Sequence, residues 1–334
     1  MTSNESPTYY DYLQLEKILS AQQPLTASAH DETLFIIIHQ TYELWFKQII
    51  HELDSILTIF GEERIAEKSI GLAVHRLKRV IEIEKILLEQ ISILETMTPL
   101  DFLDFRSALG SASGFQSAQF RRVEVKLGLR DSERHLYDGE PFYRKLAEAD
   151  REMVMADMKK PSLFDLLDKW LARNPFSEAL WMKLREAILS LTKEQHYALT
   201  MADFDSFFGD ASVGRERRLS NAAARSALLI MLYRDESIFH LPFRLLESLL
   251  DVDELFSMWR YRHALMVQRF IGSKTGTGGS SGYQYLLETS MRHKVFQEIA
   301  SLSSFLIPRR DLPALPSELK KQLSFHWDVE SFDR

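Results

Sequence analysis

Apolar residues recur every three to four positions through most of this chain, and this spacing predicts α-helices almost throughout. The two clearest runs cover residues 32–58 and 64–97, and the second would span roughly 50 Å. Alternating patterns typical of strands are scarce. Further helical runs are expected at residues 115–128, 140–158, 162–172, 176–197, 219–234, 240–271 and 288–304. The periodicity therefore predicts an all-α helical bundle.

Prolines mark the breaks between these runs, and the positions of the breaks favour one domain. Asp31 and Asp101 are candidate N-caps for helices that begin near residue 32 and after Pro99. No Pro- or Ser-rich linker divides the chain, and no repeat of 20–50 residues is apparent. We expect one domain over residues 1–308, followed by a proline-punctuated tail at 309–334.

Charge and cysteine content exclude several classes of protein. The net charge is −7, and no basic run is present, so nucleic-acid binding is not expected. The absence of Cys excludes disulfides, iron–sulfur clusters and a thiolate haem ligand. The N-terminus has no signal-peptide pattern, and no apolar run is long enough to span a membrane. The composition predicts a cytoplasmic protein without membrane contact.

A glycine-rich run, GTGGSSG at residues 276–282, raises the question of a phosphate-binding loop. Its spacing matches neither the P-loop nor the dinucleotide fingerprint, and a helical run precedes it instead of a strand. Apolar helical runs flank it on both sides, so a flexible linker is also disfavoured. The interpretation that remains is a loop whose free N–H and hydroxyl groups hold a carboxylate or an amino-acid backbone.

Two of the ten histidines lie in apolar helical surroundings, His39 after Leu34-Phe-Ile-Ile-Ile and His263 in Trp259-Arg-Tyr-Arg-His. No paired motif such as H-E-x-x-H or E-x-x-H occurs, so zinc-protease and di-iron sites lack ligands. Each of the two could be an ordinary core histidine. Alternatively, one could ligate haem iron while the other faces substrate or oxygen.

The segment 102–121 places small residues at 110–114 between apolar stretches, which would let its backbone approach a flat group. Arg106 lies among Phe102, Phe105 and Leu109 and is a candidate clamp for a carboxylate. Its alternative role is a surface salt bridge to Asp101 or Asp104.

Together these segments closely resemble the tryptophan 2,3-dioxygenase family. The matching stretches include DETLFIIIHQTYELWFKQIIHEL, LETMTPLDFLDFRSALGSASGFQSAQFRRVE and WRYRHALMVQRFIGSKTGTGGSSGYQYL. They follow one another in order between about residues 8 and 308. The region 205–220 and the tail after Arg309 carry little of the resemblance.

The resemblance implies a particular subunit and reaction. The subunit would be an all-α bundle of the tryptophan/indoleamine dioxygenase type that binds one haem b and assembles into a homotetramer. The reaction would cleave the indole C2–C3 bond of L-tryptophan with O₂ as co-substrate. The product would be N-formyl-L-kynurenine, the first intermediate of tryptophan breakdown through kynurenine.

The resemblance also implies roles for individual residues. His263 would be the axial iron ligand, and His39 the catalytic histidine on the opposite face. Ser113 and Gly114 would line the haem. The substrate-binding residues would be Phe35, Ile36, Ile37, Ile38, His39, Phe102, Arg106 and Thr277. Tyr9, Tyr12 and Leu13, within an N-terminal segment of residues 1–30, would reach a neighbouring subunit's site.

Three alternatives differ from this interpretation in substrate or in class. A haem-dependent hydroxylase or indole oxygenase of the same superfamily would act on another substrate, although Arg106 and Thr277 favour a free amino acid. A haem or tryptophan sensor would bind without catalysis. A purely structural helical protein would leave the motifs as coincidence.

Overall fold

The computed structural model of the chain describes residues 6–134, 141–175, 177–191, 201–209, 217–272, 274 and 282–315. These residues form α-helices and short 3₁₀ turns without a β-strand, which confirms the all-α prediction. The α-helices in chain order are α1 (Tyr9–Leu13), α2 (Leu15–Leu19), α3 (Glu32–Phe60), α4 (Glu67–Leu94), α5 (Pro99–Arg106), α6 (Ala118–Leu127), α7 (Glu148–Met158), α8 (Leu163–Ala172), α9 (Ser177–Leu191), α10 (Met201–Phe208), α11 (Asn221–Leu232), α12 (Ser237–Ile271), α13 (Gly282–Arg292) and α14 (Gln297–Ser301).

Three long helices, α3, α4 and α12, form the spine of the fold with 29, 28 and 35 residues. Their apolar faces pack together because they repeat at helical spacing, and Leu53, Leu77 and Leu249 are fully buried between them. Helix α6 packs on α3, while α13 packs on α12. One hydrophobic cluster includes buried residues from Ala29 to Ile307, so the long helices and their neighbours share a core.

The capping of two helices differs from the sequence-based expectation. Thr98, not Asp101, is the N-cap of α5: its hydroxyl accepts the N–H of Asp101, whose carboxylate accepts the N–H of Thr98. Asp31 occupies the N-cap position of α3, but its side chain makes no capping bond. The neighbouring Glu32 instead accepts the N–H groups of residues 25 and 26 at 2.8 and 2.7 Å.

The predicted single helix over residues 288–304 is wrong. Helix α13 already begins at Gly282, and residues 293–296 separate it from the short helix α14. The break is stabilised from α12, where Asp253 accepts the N–H groups of Val295 at 3.0 Å and Phe296 at 2.5 Å. Arg260, also on α12, donates to the carbonyl of His293 at 3.1 Å. Side chains of another helix thus satisfy the polar groups that a continuous helix would pair internally.

The N-terminal helices α1 and α2 lie outside the core. Tyr9 and Tyr12 are 77% and 76% exposed, and Leu13 is half-buried. Among the described residues, no helix combines the length and the apolar composition needed to cross a membrane.

Candidate active site

A cavity of about 290 Å³ lies between α3, α5, α6, α12 and α13. Its walls include seven of the fourteen residues singled out from the sequence. They are Phe35, His39, Phe102, Arg106, Ser113, Gly114 and His263. These residues come from two long helices, from α5 and from the turn after it, so the fold brings distant motifs to one place.

His39 faces this cavity from α3, and one hydrogen bond defines the tautomer of its ring. Its Nδ1 lies 2.7 Å from the backbone carbonyl of Phe35, and because a carbonyl only accepts, Nδ1 carries the proton. The His39 side chain is exposed towards the cavity, but desolvation by the surrounding protein lowers its pKa below the ordinary value, which favours the neutral ring. Nε2 is therefore the unprotonated nitrogen, and it can accept a hydrogen bond from a ligand N–H.

His263 enters the same cavity from α12. Its ring stacks on Trp259, one helical turn earlier, with the ring centroids 5.5 Å apart. Burial, with a smaller contribution from His39, lowers the pKa of His263 to about 4. At neutral pH the imidazole is uncharged and keeps the lone pair that a metal ligand needs.

Aromatic rings form an apolar slot beside His39. The ring centroid of Phe35 lies 4.1 Å from that of His39 and 5.8 Å from that of Phe102. Phe102 also contacts Phe270 of α12 at 5.7 Å. This slot accommodates a flat, apolar group, and within it Phe102 offers no hydroxyl.

Polar groups lie at the α5 side of the slot. Arg106 is the last residue of α5 and lines the cavity. Ser113 caps the 3₁₀ turn Gly114–Gln116 by accepting the N–H of Phe115. A Cβ added at Gly114 would meet no atom within 4 Å, so this part of the wall leaves open space.

Comparisons with known proteins match the sequence of this chain to one family. The sequence model of tryptophan 2,3-dioxygenase matches residues 1–206 and 195–306. A tryptophan 2,3-dioxygenase from Bdellovibrio bacteriovorus is 43% identical, covering 96% of this chain and 98% of that protein. Those from Dictyostelium discoideum and Anopheles gambiae are 42% and 45% identical, covering 98% and 96% of this chain and 90% of each relative.

The chain belongs to the tryptophan 2,3-dioxygenase family.

Some residues that the family resemblance assigns to the site lie elsewhere. The side chains of Ile36, Ile37 and Ile38 do not line the cavity: Ile38 is buried in the core, and Ile37 is 41% exposed. The reason is helical geometry, since Phe35 and His39 are one turn apart and the intervening side chains point in other directions. Tyr9, Tyr12 and Leu13, which the resemblance assigns to a neighbouring subunit's site, do not line the cavity of their own chain. Thr277 lies outside the described residues.

The sequence-based prediction missed a buried ion cluster in the cavity wall. The Glu124 cluster consists of Glu124, Arg121, Arg134, Arg260 and His293, and each of these residues is less than 10% exposed. Four of them, all except Arg134, line the cavity. Burial alone would raise the pKa of Glu124, but Arg134 and Arg121 outweigh it and hold the pKa well below its ordinary value. In the sequence, Arg121 and Glu124 have the spacing of an ordinary surface pair.

Proposed function

We propose that the chain opens the indole C2–C3 bond of L-tryptophan with O₂ to give N-formyl-L-kynurenine. Both oxygen atoms enter the product, so the reaction consumes no external reductant. The observation that carries the proposal is one cavity in which two neutral imidazoles, an aromatic slot and Arg106 meet. Identities above 40% over almost the whole chain with proteins named tryptophan 2,3-dioxygenase support the same reaction.

The residues of the cavity fit haem b. His263 would hold the iron through its neutral imidazole, and the wall beside Gly114 leaves room for a flat group. The apolar walls suit the macrocycle, while Arg121 and Arg260 supply positive charge to the cavity wall, which two propionates would need as partners. Bound haem would supply the iron that activates O₂. Among the described residues, no group of three acidic or histidine side chains offers an alternative metal site.

His39 would orient the substrate rather than carry charge. Its unprotonated Nε2 accepts the indole N–H, and the bond from Nδ1 to Phe35 holds the ring in that tautomer. Phe35 and Phe102 flank the indole and exclude water from it. Such positioning lowers the entropic part of the barrier because the ring is presented in one orientation.

Arg106 would bind the carboxylate of the amino acid. Its guanidinium offers paired N–H donors in the geometry that a carboxylate accepts, beside walls that exclude water. The family motif assigns the amino-acid end to Thr277 as well. The substrate would therefore be a free amino acid and not bare indole.

We further propose that the chain works as a cytoplasmic homotetramer. The exposed Tyr9 and Tyr12 support this proposal, because large side chains on short N-terminal helices have little contact with their own core. In an assembly, this segment would lie against a neighbouring subunit.

Isotope labelling tests the reaction directly. Ferrous, haem-loaded protein is mixed with L-tryptophan under heavy-isotope O₂, and the product is analysed by mass spectrometry. We expect N-formylkynurenine that contains two heavy oxygen atoms. A hydroxylated product with one heavy atom would point to a monooxygenase of the same superfamily, and binding without turnover would point to a sensor.

A further inference from the structure

Glu124 lies at the junction of three parts of the fold. Its Oε2 accepts hydrogen bonds from Arg121 of the same helix at 3.0 Å and from Arg134 at 2.5 Å. Its Oε1 accepts one from Arg260 of α12 at 2.9 Å. The Nδ1 of His293, just beyond α13, is 3.7 Å from the same oxygen. One carboxylate thus links α6, α12 and the segment at Arg134 by hydrogen bonds, and it lies beside the end of α13.

Among its own five residues the Glu124 cluster has more positive than negative groups, although Asp253 also interacts electrostatically with Arg260. Three guanidinium groups surround one carboxylate, and burial lowers the pKa of His293, so that ring is neutral. Within the described part of the chain, Glu124 is the only carboxylate that hydrogen-bonds any of the three arginines. Aromatic rings supply further compensation: Arg134 lies over Phe142 at 4.3 Å, and Arg260 over Phe120 at 5.6 Å.

The cavity separates the members of the cluster into two layers. Arg121 and Arg260 line the cavity wall, whereas Arg134 binds Glu124 from behind that wall. Arg260 also donates to the carbonyl of His293 and so connects the wall to the end of α13. Without a shared carboxylate, two buried guanidinium groups on one wall would repel each other and lose their fixed orientation.

We propose that Glu124 is a positioning residue that fixes Arg121 and Arg260 so that they present their charge to an anionic group of the cavity's ligand. The inference rests on the proposed function, in which that ligand is haem b and the anionic groups are its propionates. Glu124 itself does not contact the reacting atoms. Its role is geometric, since charge neutralisation alone would not require hydrogen bonds to arginines from separate elements.

Two substitutions separate geometry from charge. Glu124→Gln keeps the shape and removes the charge, whereas Glu124→Asp keeps the charge but is one methylene shorter and cannot reach all three arginines. A matched control lies on another face of α6, where Asp157 of α7 accepts from Arg122 at 2.7 Å and from Lys126 at 3.0 Å. Asp157→Asn breaks a comparable ion network that does not line the cavity.

The measurement compares haem b with its uncharged dimethyl ester. The full chain is loaded with either porphyrin. The rate at which the porphyrin transfers to excess apomyoglobin is then measured. We expect the wild-type protein to lose the ester about tenfold faster than haem b, because charge-assisted hydrogen bonds to the propionates disappear. Both Glu124 variants should reduce this ratio to about threefold or less, while Asp157→Asn should keep it.

The possible results have distinct meanings. A Glu124→Asp protein with the wild-type ratio, or a Glu124→Gln protein with an equal or larger one, would overturn the inference. A fall in this ratio for Asp157→Asn as large as the fall for the Glu124 variants would also overturn the inference. If Glu124→Gln does not fold, Glu124→Asp still decides, since it retains the buried charge. A chain that takes up neither porphyrin would instead refute the proposed function.

Discussion

One hydrogen bond at the residue scale determines what His39 can do. Nδ1 donates to the carbonyl of Phe35, so Nε2 is the nitrogen that is left for a ligand. Nε2 can accept a hydrogen bond as long as the ring is neutral, and it loses this ability when the ring is protonated. Desolvation by the surrounding protein lowers the pKa of this ring, so the neutral form persists to a lower pH than it would in water.

This tautomer predicts the pH dependence of turnover. We expect kcat/KM to be unaffected by His39 between pH 6.5 and 8 and to fall only as the pH drops below the ordinary histidine value of about 6.5. His39→Ala should be less active and should lack this acidic limb, whereas a change at the exposed His75 of α4 should alter neither property. An acidic limb centred above pH 6.5 would contradict the assignment.

Arg106 makes a separate prediction about substrate choice. Replacing it with Ala should raise KM for L-tryptophan, with a loss in kcat/KM equivalent to about 2–5 kcal/mol if the pair is desolvated. Tryptamine has no carboxylate, so its weaker turnover should be almost unchanged by the substitution. Steady-state kinetics with both amines provide the measurement, and Arg244→Ala on the exposed side of α12 provides the control. Equal losses for the two substrates would show that Arg106 supports structure instead.

The sequence predicts the site motifs but not the wall that supports them. Phe35, His39 and Arg106 were recognisable because each lies in a long stretch that resembles the family. Glu124 lies in such a stretch too, yet nothing in the spacing Arg121-x-x-Glu124 distinguishes a buried pair from a solvated one. Its importance depends on Arg260, which is far away in the sequence and meets it only in the folded chain.

At the scale of helices, long amphipathic elements were the easiest to predict. Helices α3, α4 and α12 follow from uninterrupted apolar spacing, and their bounds lie within a few residues of those expected. The break between α13 and α14 could not be inferred, because the groups that stabilise it, Asp253 and Arg260, belong to α12. Local sequence therefore specified the elements, while tertiary hydrogen bonds specified where the shorter ones end.

The contact between α4 and α12 contains a buried carboxyl group at Glu84. This side chain is 1% exposed, and neither oxygen has a hydrogen-bond partner among the described residues. Burial, followed by repulsion from Asp253, raises its pKa well above the ordinary value, although Arg260 opposes this shift. The folded protein therefore holds the proton of Glu84 more tightly than the unfolded chain does.

The sign of this shift predicts how stability depends on pH. The contribution of protonated Glu84 is complete below the unfolded pKa and is lost as the pH rises through the higher folded pKa. Glu84→Gln cannot ionise, so its melting temperature should exceed that of the wild type at alkaline pH, with the difference shrinking on acidification. Thermal unfolding across this range is the measurement, and Glu82→Gln on the exposed side of α4 is the control. A difference that does not vary with pH would contradict the prediction.

For the whole molecule, the position of the N-terminal segment suggests a site completed by another subunit. Tyr9 and Tyr12 are almost fully exposed on α1, and neither lines the cavity of its own chain. Leaving two large aromatic side chains in water forgoes the stabilisation that their burial would give. An interface with a second copy would recover it and would also close the neighbour's cavity.

A complementation experiment tests this shared site. One variant lacks residues 1–13, and the other carries Arg106→Ala, so each homo-oligomer should be weakly active for a different reason. When the two variants are unfolded, mixed and refolded together, a cavity with an intact Arg106 can receive the N-terminal segment of an Arg106→Ala subunit. We expect the mixture to be more active than the sum of the separately refolded variants, because mixed assemblies contain complete sites. Native mass spectrometry would verify that mixed assemblies have formed. Mixed assemblies without any gain in activity would mean that each subunit builds its site alone.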